Sequence, residues 1–390
     1  MKRLTSYLLI LCFVLTLFSV ADATFPTGWG RKCEIVLPCS LIDANLTDYP
    51  NYLNEDNFPA EMFSGANASK NDGADIRFSS DFDGTAQLPR EKVRFDTTNN
   101  TAEFHVKYSR RAATDDTIYV WYDNASATEP AEDSEFGREN VWDSYYKGVW
   151  HLNENPDASA PQFNDATSND NDGTAHASLN YDDTTSVAGG KVGKAIFFPG
   201  DFDWPSIGMG DLDVDSAITI EYWSWVNDLT QPQNNRGQQV SKWGSYATIL
   251  DDTNHVNDKY AALLWAGNTT ASTAVRPVIE TWEYIAYTYN RSYKIMYKDA
   301  ASPDSVADTE DITQNNETLN IAGYGGGNYP FRGKLDEIRI SRAGRSPAWI
   351  KACYKNQNTP ELFAVEGTPQ DVEEAEPAES TFRRRESRRR

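Results

Sequence analysis

Cysteine is scarce in this 390-residue chain, with four in all at positions 12, 33, 39 and 353. A small disulfide-stapled scaffold is thereby excluded, and the chain must bury cores of its own. Histidine is equally rare, and His105, His151, His176 and His255 are too scattered for the close spacing of a zinc motif. Positive charge is in deficit too. Lys and Arg number 36 against 58 Asp and Glu, a formal net charge of -22, which argues against nucleic-acid phosphates as partners and for a self-repelling, solvated surface. Apolar spacing of the helical kind is scarce before Ser346, and after residue 23 no run is long and apolar enough to span a bilayer. The sequence also lacks a G-x-S-x-G nucleophile elbow and a phosphate cradle, because Gly325-Gly326-Gly327 runs into Asn328-Tyr329-Pro330 and not into a helix.

Aromatics, in contrast, are plentiful: 20 Tyr, 17 Phe and 11 Trp, a mix suited to packing between sheets. Residues 1–23 read as an export signal, with basic Lys2 and Arg3, an apolar run over 7–20 and the small-x-small site Ala21-Asp22-Ala23. The expected location is therefore secreted, cell-surface or periplasmic, where disulfides are permitted. Three pairings of Cys33, Cys39 and Cys353 are open; a turn at Pro38 makes Cys33–Cys39 the expected bridge and leaves Cys353 as a buried thiol. From Thr24 to Glu154, short strands alternate with polar turns, and VWDSYYKGVWHLNE (141–154) is aromatic enough to be a seam against the second half of the chain. About eight further strands come after it, and residues 369–390 form an acidic then Arg-rich tail too hydrophilic to fold alone. The expected fold class is all-β: a small antiparallel β domain over 24–154, then a two-sheet jelly roll over 155–368.

Two resemblances sharpen this. NDGADIRFSSDFDG (71–84), TIYVWYDNASA (117–127) and the 141–154 seam resemble, in order, the hallmark segments of the domain of unknown function 2341 family, exported β domains with no assigned chemistry. The Cys33 and Cys39 pair departs from that pattern. The second half is similar to laminin-G-like, concanavalin A-like lectin domains. KVGKAIFFPGD (191–201), AITIEYWSWV (217–226), TWEYIAYTYNRSYKIMYKD (281–299) and FRGKLDEIRISRAGRSPAWIKACYKNQNTPELF (331–363) carry that likeness. It implies a jelly roll whose members include sugar binders and adhesive modules, and it does not specify the ligand.

Candidate sites emerge from the strand ends and the acids. Trp204, Trp243, Tyr324 and Tyr329 are placed where exposed rings stack on sugar faces, so a glycan or a cell-surface protein is the expected partner. Trp223 and Trp225 share one face of a central strand and read as core. DATSNDNDGTA (165–175) reads first as turn chemistry and second as a calcium loop. The concanavalin-like resemblance implies a structural calcium held by Asp165, Asp170 and Asp172 with Asp336 or Glu337. A retaining glycosidase needs two carboxylates about 5 Å apart on one face. In the hydrolase relatives these come as Glu-x-Asp-x-Glu, a run this chain lacks. In LDEIRIS, period-two alternation sends Leu335, Glu337 and Arg339 to one face and Asp336, Ile338 and Ile340 to the other, so the paired acids are expected to be opposed. The expectation is a non-enzymatic recognition protein, with a glycan-acting hydrolase or a structural envelope component as the alternatives.

Overall fold

In the strand Thr101–Lys107, every second residue is apolar, and Ala102, Phe104 and Val106 point into a core while Glu103, His105 and Lys107 point away from it. That strand belongs to a three-stranded antiparallel sheet with Pro50–Asn54 and Arg90–Asp96. A second sheet, built on the pairing of Arg31–Leu37 with Asp116–Tyr122, closes the other side of the same core with Cys33, Ile35, Leu37, Ile118, Val120 and Tyr122. The computed structural model describes residues 25–155, 159–175, 186–200, 207–210, 212–233, 236–251, 259–266, 270–272, 276–301, 305–324 and 328–372. The expected signal segment, Trp204 and most of the tail lie outside these.

The second core lies between an eight-stranded and a seven-stranded antiparallel sheet, the two layers of a jelly roll. Ile218, Ile220, Tyr222 and Val226 of Ile218–Val226 face it, together with Tyr246, Tyr260, Tyr287 and Tyr289. The other face of that strand presents Thr219, Glu221, Trp223 and Trp225. Trp223 is buried beneath the helix Pro347–Asn358, where its indole N–H donates to Gln357 at 2.6 Å, and Trp225 is half-buried under Lys334. Ser346 caps that helix by accepting from the Trp349 amide, and Pro347 takes the first helical position, where no amide is needed.

Two pairings cross the boundaries expected from sequence. Strand Tyr146–Trp150 pairs with the closing strand Arg332–Ser341 of the jelly roll, and Val365–Glu366 and Gln370–Asp371 return to pair with Arg31–Leu37 in the first sandwich. Thus the jelly-roll sheet begins before residue 155, and residues 370 and 371 are strand and not tail. A third apolar cluster, including Tyr49, Trp142, Tyr146, Val149, Trp223, Trp349, Ile350 and Phe363, fills the seam between the sandwiches. The aromatic seam read from 141–154 is here. Asn356 stitches it: its side chain accepts from the Tyr52 amide at 2.8 Å and donates to the Tyr52 carbonyl at 2.8 Å.

The expected Cys33–Cys39 bridge is not formed, and all three described cysteines are free thiols. Extended strand from Arg31 to Leu37 carries the chain away from Cys33 at about 3.3 Å per residue. Cys33 is buried in the core, while the Cys39 amide is held by Asp115 in a short 3-10 turn at the surface.

Candidate functional site

The closing strand changes its edge partner in mid-course. Residues 332–335 pair with Lys194–Pro199, and residues 338–341 pair with Tyr146–Trp150. Between these two neighbours sit Asp336 and Glu337. On the opposite side the register against Ile218–Val226 slips between Glu221 and Trp223, with one extra residue on the closing strand, and Glu337 takes a φ of 53°. This is a β-bulge with a non-glycine residue in the left-handed region, a strained conformation that surrounding contacts must hold. The bulge breaks the alternation expected from sequence. Leu335, Ile338 and Ile340 all enter the jelly-roll core, and Asp336, Glu337 and Arg339 turn together into the seam. The two acids are neighbours, not opposed.

In the seam, Glu337 is contacted from three elements. It pairs with the His151 Nδ1 just after strand Tyr146–Trp150, accepts from Arg339 at 2.5 Å and from Gln357 of the helix at 3.2 Å. The other His151 nitrogen lies 3.1 Å from Glu91, whose second oxygen accepts from the Trp142 indole at 2.9 Å. His105 stacks on His151, with ring centroids 5.2 Å apart and planes 16° from parallel. Burial alone would raise the Glu337 pKa, but the charges of His151 and Arg339 override it and hold the group well below the usual carboxylate range. Burial would likewise lower His151, and Glu337 and Glu91 instead hold it well above the usual imidazole range. Asp336 goes the other way: burial, and then the charge of Glu337, push it well above 3.8. Glu103, beside the same group, is pushed up to about 7 by burial against the pull of Arg94. The two adjacent carboxyls are thus shifted in opposite directions.

The five residues expected to hold calcium do not converge. Asp165 spends both oxygens on protein donors, accepting from the Thr167 and Asn171 amides of its own loop and the Val149 amide of strand Tyr146–Trp150 at 3.0 Å, and from the Thr167 hydroxyl at 2.9 Å. Asp172 accepts from the Asp165 amide at 2.8 Å, Asp170 occupies a turn with φ 53°, and Asp336 accepts from the Val192 amide at 2.8 Å. Turn chemistry, the first reading of that stretch, accounts for these acids. Among the described residues, side chains able to hold a metal converge at His105, His151 and Glu337.

Of the four aromatic candidates, Trp243, Tyr324 and Tyr329 lie together, and Trp204 is outside the described residues. Trp243, in the turn after strand Arg236–Lys242, stacks on Tyr324 with centroids 4.0 Å apart and planes 11° from parallel. Tyr329 lies parallel to Tyr324 at 6.4 Å, and Trp265 meets Trp243 edge-on at 5.0 Å. The Arg236 guanidinium extends the row over Tyr329. All four rings are half-buried. Tyr329 is held by backbone strain and polar contacts, with φ 50°, its amide donating to Gln233 at 2.5 Å and its carbonyl accepting from the Gln238 amide at 3.0 Å. On the sheet face that carries Ala247, Ile249 and Trp265, the Gln238 Oε1 and the Ser241 hydroxyl have no hydrogen-bond partner. Those two polar atoms are buried, so it is the half-buried row of rings that suits a ligand with apolar faces.

Sequence reasoning missed Trp265, His105, His151 and Glu91. Trp265 obeys the same strand-end rule as Trp243. A histidine inside an aromatic seam had to find charged partners once buried, and that was the available signal for His151.

Residues 199–351 match the model of the concanavalin A-like lectin/glucanases superfamily, which overlaps the jelly roll and includes the aromatic row and the closing strand. No curated protein sequence matches the chain. Among solved structures, domain 4 of AbnA, a GH43 extracellular arabinanase from Geobacillus stearothermophilus in complex with arabinotriose, is 17% identical with a TM-score of 0.40, over 53% of this chain and 96% of that one. The binding domain of Paraclostridial Mosquitocidal Protein 1 is 13% identical with a TM-score of 0.42, over 54% of this chain and 52% of that one. The binding domain of Botulinum Neurotoxin DC in complex with SialylT is 8% identical with a TM-score of 0.36, over 55% and 52%.

Proposed function

We propose that the protein is an exported, non-enzymatic recognition protein that binds a surface or extracellular glycan through the row Trp265–Trp243–Tyr324–Tyr329. In this reading the first sandwich is the domain of unknown function 2341 type unit, and it braces the jelly roll. One observation carries the proposal: Trp243, Tyr324 and Tyr329, picked out by their strand-end positions, assemble with Trp265 into one half-buried row. The superfamily match over the jelly roll supports the same reading. The buried state of Asp336 and Glu337 supports the non-enzymatic part, because a glycosidase pair must flank a bond that substrate brings in from solvent.

The test is a glycan array with the wild-type protein and the variants Trp243→Ala and Tyr329→Ala. Binding to a defined saccharide class, lost in both variants with the fold intact, is the expected result. Absence of binding to every glycan, or binding indifferent to both substitutions, overturns the proposal. Release of reducing sugar from any bound polysaccharide overturns its non-enzymatic part.

A further inference from the structure

His105 is an anomaly that the aromatic row does not explain. It is fully buried, and neither ring nitrogen has a hydrogen-bond partner. Leaving a buried polar group unpaired is destabilising. Its Nε2 points at Glu337 Oε2 from 3.9 Å, too far for a hydrogen bond. The ligand atoms of His105, His151 and Glu337 lie within 4.8 Å of one another. Donor atoms that share a tetrahedral ion with bonds of about 2.0–2.2 Å stand about 3.3–3.6 Å apart, so an ion here requires His105 to close in and the His151–Glu337 contact to open.

We propose that His105, His151 and Glu337 hold a divalent transition-metal ion of the zinc class, and that this ion fastens the two sandwiches together.

Four features converge on this assignment. The donor set, two imidazoles and one carboxylate, suits zinc and its first-row neighbours and not calcium, which takes oxygen ligands. The arrangement behind His151 suits a metal-bound histidine: Nδ1 is turned to the Glu337 carboxylate, where the ion would sit, and Nε2 lies 3.1 Å from Glu91, which is fixed in turn by the Trp142 indole. Glu337 reaches the position through a left-handed bulge, and Arg339 and Gln357 pin its second oxygen. The three ligands come from the first sandwich, from the end of the shared strand and from the closing strand, so one ion ties together segments distant in sequence.

The experiment uses the full chain. Protein stripped of metal under mild denaturation is refolded with Zn2+ alone or Co2+ alone, and metal content and visible spectra are measured. The expected result is about one ion per chain and a Co2+ spectrum of nitrogen and oxygen ligation without the thiolate charge-transfer band that Cys33, Cys39 or Cys353 would give. His105→Gln and His151→Gln abolish uptake, whereas Glu91→Gln weakens it by about 10–100-fold. A folded wild-type protein that takes up neither ion overturns the proposal, as does uptake undiminished in His105→Gln or accompanied by the thiolate band. If both histidine variants fail to fold, the wild-type spectrum and stoichiometry alone decide it.

Discussion

Asp336 and Glu337 are adjacent on one strand, yet both turn into the same seam, and the left-handed φ of 53° at Glu337 is the cause. In that setting the two acids are shifted in opposite directions, Glu337 down and Asp336 up. Removing the charge from Glu337 takes the paired carboxylate from buried Arg339 and leaves His151 with Glu91 alone, a loss of the kind that costs about 3–5 kcal/mol. Removing it from Asp336 takes away a charge that burial already suppresses, and an amide oxygen still accepts from Val192. Glu337→Gln is therefore expected to destabilise strongly, and Asp336→Asn by no more than about 1 kcal/mol. Urea unfolding of the two variants checks this; equal losses would show that the acids are equivalent.

The pH dependence arises from the same group. Glu337 is held below its unfolded value of 4.5, so its contribution is complete above that pH and is lost as pH falls toward its folded value. His151 is held above 6.5, so its contribution is complete below 6.5 and is lost as pH rises through its folded value. Glu103, with a folded value of about 7, favours its neutral form and lowers stability as pH rises from 4.5 through 7. Melting temperature measured across pH 3 to 10 is expected to fall on both sides of a weakly acidic optimum. Glu103→Gln should flatten the slope between about pH 5 and pH 8; an unchanged slope there would remove Glu103 from the account.

Alternation and composition made the two-sandwich fold readable, because strands such as Thr101–Lys107 and Ile218–Val226 carry their facing in the residues themselves. The aromatic row was readable for a related reason: large rings at strand ends have few packing roles. The acid pair was not readable. A bulge is set by which strands flank the closing strand, here two different neighbours meeting at residues 336 and 337, and that is a property of topology and not of LDEIRIS. His105 and His151 were invisible for the same reason, since 46 residues separate them and the seam alone brings them to stacking distance. Domain borders drawn at composition changes failed where strands are exchanged, at Tyr146–Trp150 and Gln370–Asp371.

The thiols offer a chemical check on the first sandwich. Burial pushes the Cys33 thiol up to about 11 and the Cys353 thiol well above its usual value, whereas Cys39 is near the surface. A raised pKa and burial both slow alkylation. Native protein treated with iodoacetamide at neutral pH is expected to be modified at Cys39 alone, and denatured, unreduced protein at Cys33, Cys39 and Cys353 alike. Mass spectrometry reads this directly. Cys33 and Cys39 that stay unmodified until reduction would restore the bridge between them.

The seam between the sandwiches depends on a polar side chain as well as on its aromatic filling. Asn356 satisfies both the amide and the carbonyl of Tyr52 from the buried face of the helix, and it has an exposure of 1%. Alanine there leaves two backbone groups unpaired where water does not reach, at about 1–3 kcal/mol each. Asn356→Ala is expected to lower stability by about 2–5 kcal/mol, whereas Lys351→Ala, on the exposed side of the same helix, changes it by less than about 1 kcal/mol. Amide exchange localises the effect: Tyr52 and its neighbours in Pro50–Asn54 should lose protection first, ahead of the jelly-roll core. Uniform loss of protection across both sandwiches would mean that they unfold as one unit and that Asn356 has no special place in the seam.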